Sequence, residues 1–392
     1  MQEIIKDQFG PELVIKVYKQ SIGLEGFLVI DNTNLGPGKG GIRMTPNVTE
    51  EEVARLARTM TWKNSLAGIP FGGAKAGIVW PASPELQRGE KGGDLPAEAG
   101  EKHKMALMQE FARQIKLLTP KKYIAGPDVG TGDKEMAWFV AATGNWKSAT
   151  GKPANLCMKI FGKKGERCGL PHEFGSTGWG VAKSTKAATD ILGINLKGAT
   201  VSIHGFGNVG TFAYTTLTEM GAKVIAIADK DGAIHSEDGF DEKIIKDLIK
   251  QRKSVVEYHN RAKQIKTEDF WKIPVDILIP ASVTDVINEK NKNDIKAKLI
   301  VEAGNIPMQE DIEDELYKKG IMFVPDFVAN AGGVISSYAE HRGYNPKRMF
   351  KTVEEKIIRT TNLVMKKSVK EKRNPRQVAM ELAEKRVLER SN

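Results

Sequence analysis

The segment Val201-Ser202-Ile203-His204-Gly205-Phe206-Gly207-Asn208-Val209-Gly210 decides the fold of the second half of this chain. Its first residues predict a buried strand, and a helical pattern follows over 211–220. Gly205 allows a tight turn, Gly207 lets the backbone approach a ligand, and Gly210 permits close packing of the helix on the strand. The segment therefore predicts a dinucleotide-binding turn, whose contacting residues are Gly205, Phe206, Gly207, Asn208, Val209 and Gly210.

An acidic residue follows at the position that such a turn requires. Asp229 ends the next predicted strand, 19 residues after Gly210, where a carboxylate accepts hydrogen bonds from the ribose hydroxyls of a dinucleotide. A glycine-rich turn without a ligand is the alternative, but the strand, glycines, helix and acid together favour the binding site. Because Lys230 is able to neutralise a ribose 2′-phosphate, both NAD and NADP remain candidate cofactors.

Apolar runs that predict strands continue after this turn, with helical patterns between them. They lie at 224–228, 275–280, 299–303 and 321–325. This alternation is typical of an α/β fold with a doubly wound parallel sheet. The length of 392 residues allows two to three domains, and we expect a domain boundary near Gly180.

The first half of the chain predicts a different arrangement. Alternating residues at 13–19 and 26–30 predict two strands, and Thr49 with the acidic residues after it predicts the start of an amphipathic helix that ends near Gly68. The segment from Pro81 to Gly100 is rich in proline, glycine and charge, so it predicts a surface loop before a helix over 102–118.

The formal net charge of +10 suggests a protein that binds nucleic acid, but the location of the excess basic residues argues against this function. Residues 345–392 hold 14 of the basic and six of the acidic residues. Apolar residues there, such as Val353, Ile357 and Val364, have helical spacing, so most of the basic residues form a solvated helix face. The sequence also has no zinc-finger spacing and only 7% aromatic residues, so we expect no nucleic-acid partner.

The cysteine content and the hydropathy of the sequence indicate the cellular compartment of the protein. No run approaches the roughly 18 apolar residues of a membrane helix, and the charged start lacks a secretory signal, so we expect a cytoplasmic protein with no membrane partner. Cys157 and Cys168 are the two cysteines, and we expect them to be unpaired thiols in a reducing compartment. With His172 they offer only three soft ligands, so we predict no metal site.

Three lysines of the first half stand beside glycines or on a well-defined helix, namely Lys39, Lys63 and Lys75. A single lysine is usually a solvated surface charge. Three in such settings, together with Asp128 between Pro127 and Val129, favour a functional site over separate surface charges. Burial and neighbouring ammonium groups lower the pKa of a lysine, which lets it exchange protons near neutrality.

These motifs resemble those of the glutamate/leucine/phenylalanine/valine dehydrogenases, which oxidatively deaminate amino acids. Seven ordered motifs carry the resemblance over nearly the whole chain. They are Gly38-Lys39-Gly40-Gly41-Ile42-Arg43, Thr61-Trp62-Lys63, Gly72-Gly73-Ala74-Lys75-Ala76-Gly77, Pro127-Asp128-Val129-Gly130, Ser176-Thr177-Gly178, the turn at 205–210, and Pro325-Asp326-Phe327-Val328-Ala329-Asn330-Ala331-Gly332-Gly333-Val334.

The resemblance implies an architecture and a set of roles. It implies a substrate-binding and oligomerisation domain over 1–180, a Rossmann dinucleotide-binding domain over 181–335, and C-terminal helices over 336–392 that return to the first domain. By the same resemblance, Lys75 activates the attacking water, Asp128 exchanges protons with the amino nitrogen, and Lys63 holds the α-carboxylate. Thr177, Asn208, Asn305 and Asn330 line the cofactor, and the protein is a homo-oligomer, with a hexamer as first choice.

The side-chain pocket distinguishes the members of that family. Glutamate-specific members bind the γ-carboxylate through a lysine and a serine that correspond to Lys39 and Ser337, whereas branched-chain members have apolar residues there. An unpaired ammonium beside a leucine side chain carries a desolvation cost, so we expect glutamate, 2-oxoglutarate and ammonia as substrates and products. Because residues 23–37 are closer to the branched-chain members, a leucine- or valine-type dehydrogenase is the nearest alternative, and a catalytically silent dinucleotide sensor is another.

Overall fold

The structure is a computed structural model that describes residues 4, 6–80, 97–159 and 166–389. Most of the predicted loop from Pro81 to Gly100 lies outside the described residues, and 97–100 begin a helix. The chain forms two compact units, one of residues 1–174, 334–349 and 382–392 and the other of 175–333 and 350–381. None of the described helices is long and apolar enough to cross a membrane.

The first unit contains one mixed sheet with helices and a small hairpin. Its described elements before residue 174 are β1 (Leu13–Lys19), β2 (Leu24–Asn32), β3 (Gly38–Thr45), α1 (Glu50–Leu66), β4 (Gly72–Val79), α2 (Ala97–Gln114), β5 (Tyr123–Pro127), α3 (Asp133–Thr143), β6 (Cys157–Lys159) and β7 (Glu166–Cys168). The predicted cap of α1 is confirmed, because Oγ1 of Thr49 accepts a hydrogen bond from the N–H of Glu52 at 3.2 Å.

The five strands of this sheet lie in the order β1-β2-β4-β3-β5. Strands β3, β4 and β5 are parallel, while β2 is antiparallel to both β1 and β4. Sequence reasoning found β1 and β2 of this sheet but not β3, β4 or β5, and the glycine-rich sequences of β3 and β4 contradict the usual strand composition. Those two strands carry Lys39 and Lys75, so the strands that sequence patterns missed are the ones that hold the candidate site.

Helices cover both faces of the first sheet. Phe111 of α2 packs directly on Gly26, where an added Cβ would lie 2.9 Å from its ring. The apolar core on this face includes residues of α2, α3 and all five strands, among them Leu107, Phe111, Phe139, Val17, Leu28, Ile42, Ile78 and Tyr123. Helix α1 lies on the opposite face, where Val53 and Ala57 are completely buried against the sheet.

The second unit contains the predicted doubly wound sheet. Its elements are α4 (Ser176–Leu192), β8 (Thr200–His204), α5 (Asn208–Glu219), β9 (Lys223–Ala228), β10 (Ala233–His235), α6 (Glu242–Gln251), β11 (Lys263–Ile265), α7 (Thr267–Phe270), β12 (Val275–Pro280), β13 (Ala297–Val301), α8 (Glu310–Lys318), β14 (Met322–Val324) and α9 (Asp326–Ala329). The strand order is β11-β10-β9-β8-β12-β13-β14. Strands β9, β8, β12, β13 and β14 are parallel, as predicted, and β10 and β11 extend the sheet with antiparallel pairs.

Three further helices complete the described chain, α10 (Gly332–His341), α11 (Pro346–Glu371) and α12 (Pro375–Leu388). The unit boundaries differ from the expected ones of 180 and 335 by a few residues, and residues 350–381 belong to the second unit rather than the first. Residues 350–381 belong there because they pack against other elements of the second unit. Thr361 of α11 shares a hydrogen bond of 2.9 Å with Ser184 of α4, and the predicted inner residues Val353, Ile357 and Val364 are buried.

The two cysteines contradict the sequence prediction. Cys157 and Cys168 lie opposite each other in the β6–β7 pair and form a disulfide bond. The expectation of two unpaired thiols was wrong because it weighed the low cysteine count and not the hairpin, which brings the two Cα atoms to 4.0 Å. Among the described residues, Glu166 and not His172 forms a cluster of ligand-type side chains with the two cysteines.

Gly73 offers a test of how α1 packs on β4. A Cβ at Gly73 would lie 2.0 Å from Oγ1 and 2.3 Å from N of Thr61. Since overpacking costs about 1–3 kcal/mol, we expect Gly73→Ala to lower the urea midpoint of unfolding. Gly100→Ala is the matched control, because its added methyl group meets no atom within 4 Å in helix α2 and should stabilise by about 0.5–1 kcal/mol. Equal midpoints for both variants would contradict this packing.

Candidate active site

The registers of the first sheet bring the candidate residues to one face. Lys39 lies opposite Gly73 in the β3–β4 pair, and Gly41 lies opposite Gly126 in the β3–β5 pair. Because side chains alternate along a strand, Lys39, Lys75 and Asp128, which follows β5, project toward the same side. This is the side on which α1 packs.

Asp128 is held between two cations. Its Oδ1 lies 3.0 Å from Nζ of Lys75, and its Oδ2 accepts a hydrogen bond of 2.9 Å from Nε of Arg43. Burial opposes ionisation, but the ammonium and the guanidinium outweigh burial, so the pKa of Asp128 is lowered from its usual value of 3.8. Asp128 is therefore ionised at neutral pH and lies within proton-transfer distance of a lysine that is only 6% exposed.

Lys39 occupies space that Gly126 leaves by having no side chain. A Cβ at Gly126 would lie 2.3 Å from Nζ of Lys39, and Lys39 is only 3% exposed. Burial is the largest cause that lowers the pKa of Lys39 from 10.5 to about 7. Within the described part of the chain no carboxylate oxygen lies within 4.0 Å of Nζ, so this ammonium is available to an anion that enters the site.

The two remaining substrate candidates are also buried in the first unit. Lys63 lies in the last turn of α1 and is 7% exposed, and Ser337 lies on α10 and is 5% exposed. Sequence reasoning missed four residues near Lys39 and Asp128. These are Arg43, Lys152, His172 and Glu340, whose charges or contacts act on Lys39 or Asp128.

The glycine turn of the second unit fits the predicted dinucleotide. Gly205 has a φ of 106°, and a Cβ there would lie 2.7 Å from the carbonyl carbon of Ala281. A Cβ at Gly210 would lie 1.9 Å from the carbonyl oxygen of Gly205. A Cβ at Gly207 would meet no atom within 4 Å. Two glycines therefore serve packing, while the third leaves open space at the N-terminus of α5, where a phosphate is stabilised.

Other predicted cofactor residues lie around this turn and along α4. Asn208 and Val209 begin α5, and Thr177 is the second residue of α4. The ring of Phe206 contacts that of Tyr214 edge-on, with centroids 5.7 Å apart.

Asp229 lies at the end of β9, where the sequence placed it, but its carboxylate already has partners. Its Oδ2 accepts hydrogen bonds of 2.8 Å from Oγ of Ser254 and from the N–H of Val255, and its Oδ1 accepts one of 2.9 Å from the N–H of Asp231. A carboxylate offers about four acceptor positions, so one position remains for a ribose hydroxyl.

Asn330 and Asn305 lie together beyond the ends of β13 and β14. Nδ2 of Asn330 donates to the carbonyl oxygen of Gly304 at 2.9 Å and to Oδ1 of Asn305 at 3.2 Å. Oδ1 of Asn330 is buried and has no hydrogen-bond donor among the residues that the structure describes. A buried acceptor without a donor fits the amide group of a nicotinamide ring.

A dinucleotide turn in a doubly wound sheet, with a buried lysine–aspartate pair on a second sheet, defines an NAD(P)-dependent oxidoreductase. The family model of the glutamate/leucine/phenylalanine/valine dehydrogenases matches residues 169–392. The model of the Glu/Leu/Phe/Val dehydrogenase dimerisation domain matches residues 13–145. The chain therefore belongs to the glutamate/leucine/phenylalanine/valine dehydrogenase family, as its motifs indicated, and is an amino acid dehydrogenase.

Relatives and solved structures agree with this assignment. The chain is 37% identical to the glutamate dehydrogenase of Aeropyrum pernix over 85% of its length and 77% of the relative's. It is 38% identical to the NADP-specific glutamate dehydrogenase of Saccharolobus shibatae over 84% of its length and 75% of the relative's. The crystal structure of glutamate dehydrogenase from Peptoniphilus asaccharolyticus covers 97% of this chain and 91% of its own, with a TM-score of 0.77 at 27% identity.

Lys75→Ala tests the catalytic pair. We expect the rate of amino acid oxidation to fall by roughly 10²–10⁴-fold, because a positioned proton-transfer group contributes that much. Affinity for the reduced cofactor, measured by its fluorescence, should not change. Lys121→Ala, which removes an exposed lysine, is the control and should keep full activity. Retained activity in Lys75→Ala would exclude the role.

Proposed function

We propose that this protein catalyses the reversible oxidative deamination of L-glutamate to 2-oxoglutarate and ammonia with NAD or NADP. The observation that carries the proposal is Lys39, a buried ammonium with no carboxylate within 4.0 Å among the described residues. A γ-carboxylate supplies the missing partner. A leucine or valine side chain would leave the ammonium desolvated and unpaired, at a cost of several kcal/mol.

The residues of the first unit have separate roles in the proposed reaction. We assign the γ-carboxylate to Lys39 and Ser337 and the α-carboxylate to Lys63. Asp128, ionised beside Lys75, takes a proton from the substrate amino group, so that the nitrogen lone pair can form the imine. Lys75, after releasing its own proton to solvent, removes a proton from the water that attacks the imine carbon. Asp128 returns its proton to the nitrogen, and as the carbonyl forms the hydroxyl proton leaves with ammonia as ammonium.

The residues of the second unit bind and orient the dinucleotide. When bound, the nicotinamide ring accepts a hydride from the substrate Cα. Gly207 and the N-terminus of α5 would hold the pyrophosphate, Asp229 a ribose hydroxyl, and Asn330 the nicotinamide amide, in agreement with the open space and the buried acceptor described above. In the overall reaction glutamate, the oxidised cofactor and water give 2-oxoglutarate, ammonium, the reduced cofactor and a proton.

We also propose a homo-oligomer, with a hexamer as first choice. The match of residues 13–145 to a family model described as a dimerisation domain supports self-association.

A substrate panel tests the proposed reaction. Glutamate, aspartate, leucine, valine and phenylalanine are each assayed with NAD and with NADP by the absorbance of the reduced cofactor. We expect glutamate to exceed leucine by about 10⁴-fold in kcat/KM, because a site built for a polar group rejects analogues that lack it. Strong oxidation of leucine with none of glutamate would refute the proposal and favour the branched-chain alternative.

Lys39→Met tests the side-chain assignment. A hydrogen bond to a charged group contributes about 1.5–3 kcal/mol, so KM for glutamate should rise roughly 10- to 150-fold. Lys121→Met removes an exposed ammonium by the same change and should leave KM unaltered. An unchanged KM in Lys39→Met would show that the γ-carboxylate binds elsewhere.

A further inference from the structure

Glu340 of α10 is a fully buried carboxylate that the proposed reaction does not use. Its Oε1 forms an ion pair with Nζ of Lys152, which is also fully buried. Its Oε2 accepts hydrogen bonds of 2.8 Å from the backbone N–H groups of Gly151 and of Leu170. Lys152 is fixed in turn by the carbonyl oxygen of Ala149 and by the ring of Trp146. Both charges of the pair are therefore held in fixed positions.

This pair lies beside Lys39. The N–H of Thr150 donates to the carbonyl oxygen of Ala125 at 3.0 Å, so residues 150 and 151 run along β5. A Cβ at Gly126 would lie 2.3 Å from Nζ of Lys39 and 3.8 Å from Oγ1 of Thr150. The next residue, Gly151, donates to Glu340. Glu340 also lies three residues after Ser337, so the two share one face of α10.

We propose that Glu340 is a positioning residue of the substrate site, whose carboxylate, fixed by Lys152 and by two backbone N–H groups, keeps Lys39 in its charged form to receive the substrate side chain. The proposal rests on the function proposed above and adds a residue to it. Glu340 itself touches neither substrate nor cofactor in this scheme. It acts through Lys39.

Helix α1, on the same face of the sheet, carries Lys63. Further charged and titratable groups act on Lys39 or are acted on by it. They are Lys75 of β4, Asp128 after β5, Lys152 in the following loop, His172, and Glu340 and His341 of α10. Burial is the main cause that lowers the pKa values of His172 and His341 to about 4. Both imidazoles are therefore neutral near pH 7, and the carboxylates and lysines decide the charge of Lys39.

Influences of opposite sign set the pKa of Lys39. Burial lowers its pKa most, the cations of Lys75 and Lys152 lower it further, and Glu340 is the strongest charge that raises it. The resulting pKa is about 7, so Lys39 is charged below this pH and loses its charge above it. Removal of the negative charge of Glu340 should therefore move the pH at which Lys39 loses its charge to a lower value.

The test measures the pH at which Lys39 changes charge. The full-length protein is treated with a limiting amount of acetic anhydride over a pH series, and acetylation of Lys39 is quantified by mass spectrometry of its peptide. Because only the neutral amine reacts, the midpoint of acetylation reports the pKa of Lys39. We expect Glu340→Gln to lower this midpoint by about one pH unit or more, and Glu340→Asp to restore most of it.

A matched variant separates the local effect from a change of net charge. Glu219→Gln makes the same change at the exposed end of α5 and should leave the midpoint unchanged. If circular dichroism shows that Glu340→Gln does not fold, Glu340→Met is measured instead, and its midpoint should fall in the same way. If a folded variant of Glu340 has the same midpoint of Lys39 acetylation as the unmodified protein, the proposal is overturned.

Steady-state kinetics supply a second readout. In Glu340→Gln, KM for glutamate at pH 7.5 should rise about tenfold or more, while kcat at saturating glutamate should change little. A fall in kcat with constant KM overturns the proposal. If the unmodified protein does not oxidise glutamate, the proposed function fails, whereas the acetylation midpoints still decide whether Glu340 controls Lys39.

Discussion

The first unit depends on close approach between backbones that only glycine permits. A Cβ at Gly40 would lie 1.6 Å from the carbonyl oxygen of Ala74, and one at Gly73 would lie 2.0 Å from Oγ1 of Thr61. Because both positions are glycine, β3 packs against β4 and α1 lies close to the sheet. Gly126 leaves the space into which Nζ of Lys39 extends. The same lack of side chains therefore builds the sheet and makes room for the ammonium group of Lys39.

The buried lysines of the first unit differ in their ion-pair partners. Lys75 is paired with Asp128 at 3.0 Å and Lys152 with Glu340, whereas Lys39 has no such partner among the described residues. In a buried site an unpaired charge is costly, so it favours a ligand that neutralises it. In the proposed reaction this arrangement couples proton transfer at Asp128 to recognition of an anionic side chain at Lys39, while the two ion pairs neutralise the charges of Lys75 and Lys152.

Local sequence patterns predicted the features that depend on neighbours in the chain. The cap at Thr49, the turn at 205–210 and the parallel strands of the second sheet are of this kind. Strands β3 and β4 were missed because their glycines serve contacts with distant atoms and weaken the usual strand pattern. Arg43 and Glu340 were missed for a related reason. Arg43 meets Asp128 across 85 residues, and Gly151 meets Glu340 across 189, separations that no short motif records.

The division of the chain into units has a consequence for biosynthesis. Asp326, in the segment that leads to Asn330, is bound through its Oδ1 by Arg376 of α12, which lies 50 residues further on. Arg376 also pairs with Glu302 and Glu313, whose burial raises their pKa values. During translation all described strands of the dinucleotide sheet are synthesised before Arg376, the only cation that pairs with these acids among the described residues. The nascent second unit therefore holds three acids without their arginine until Arg376 has been synthesised, and it can reach its final electrostatic state only after α12 emerges.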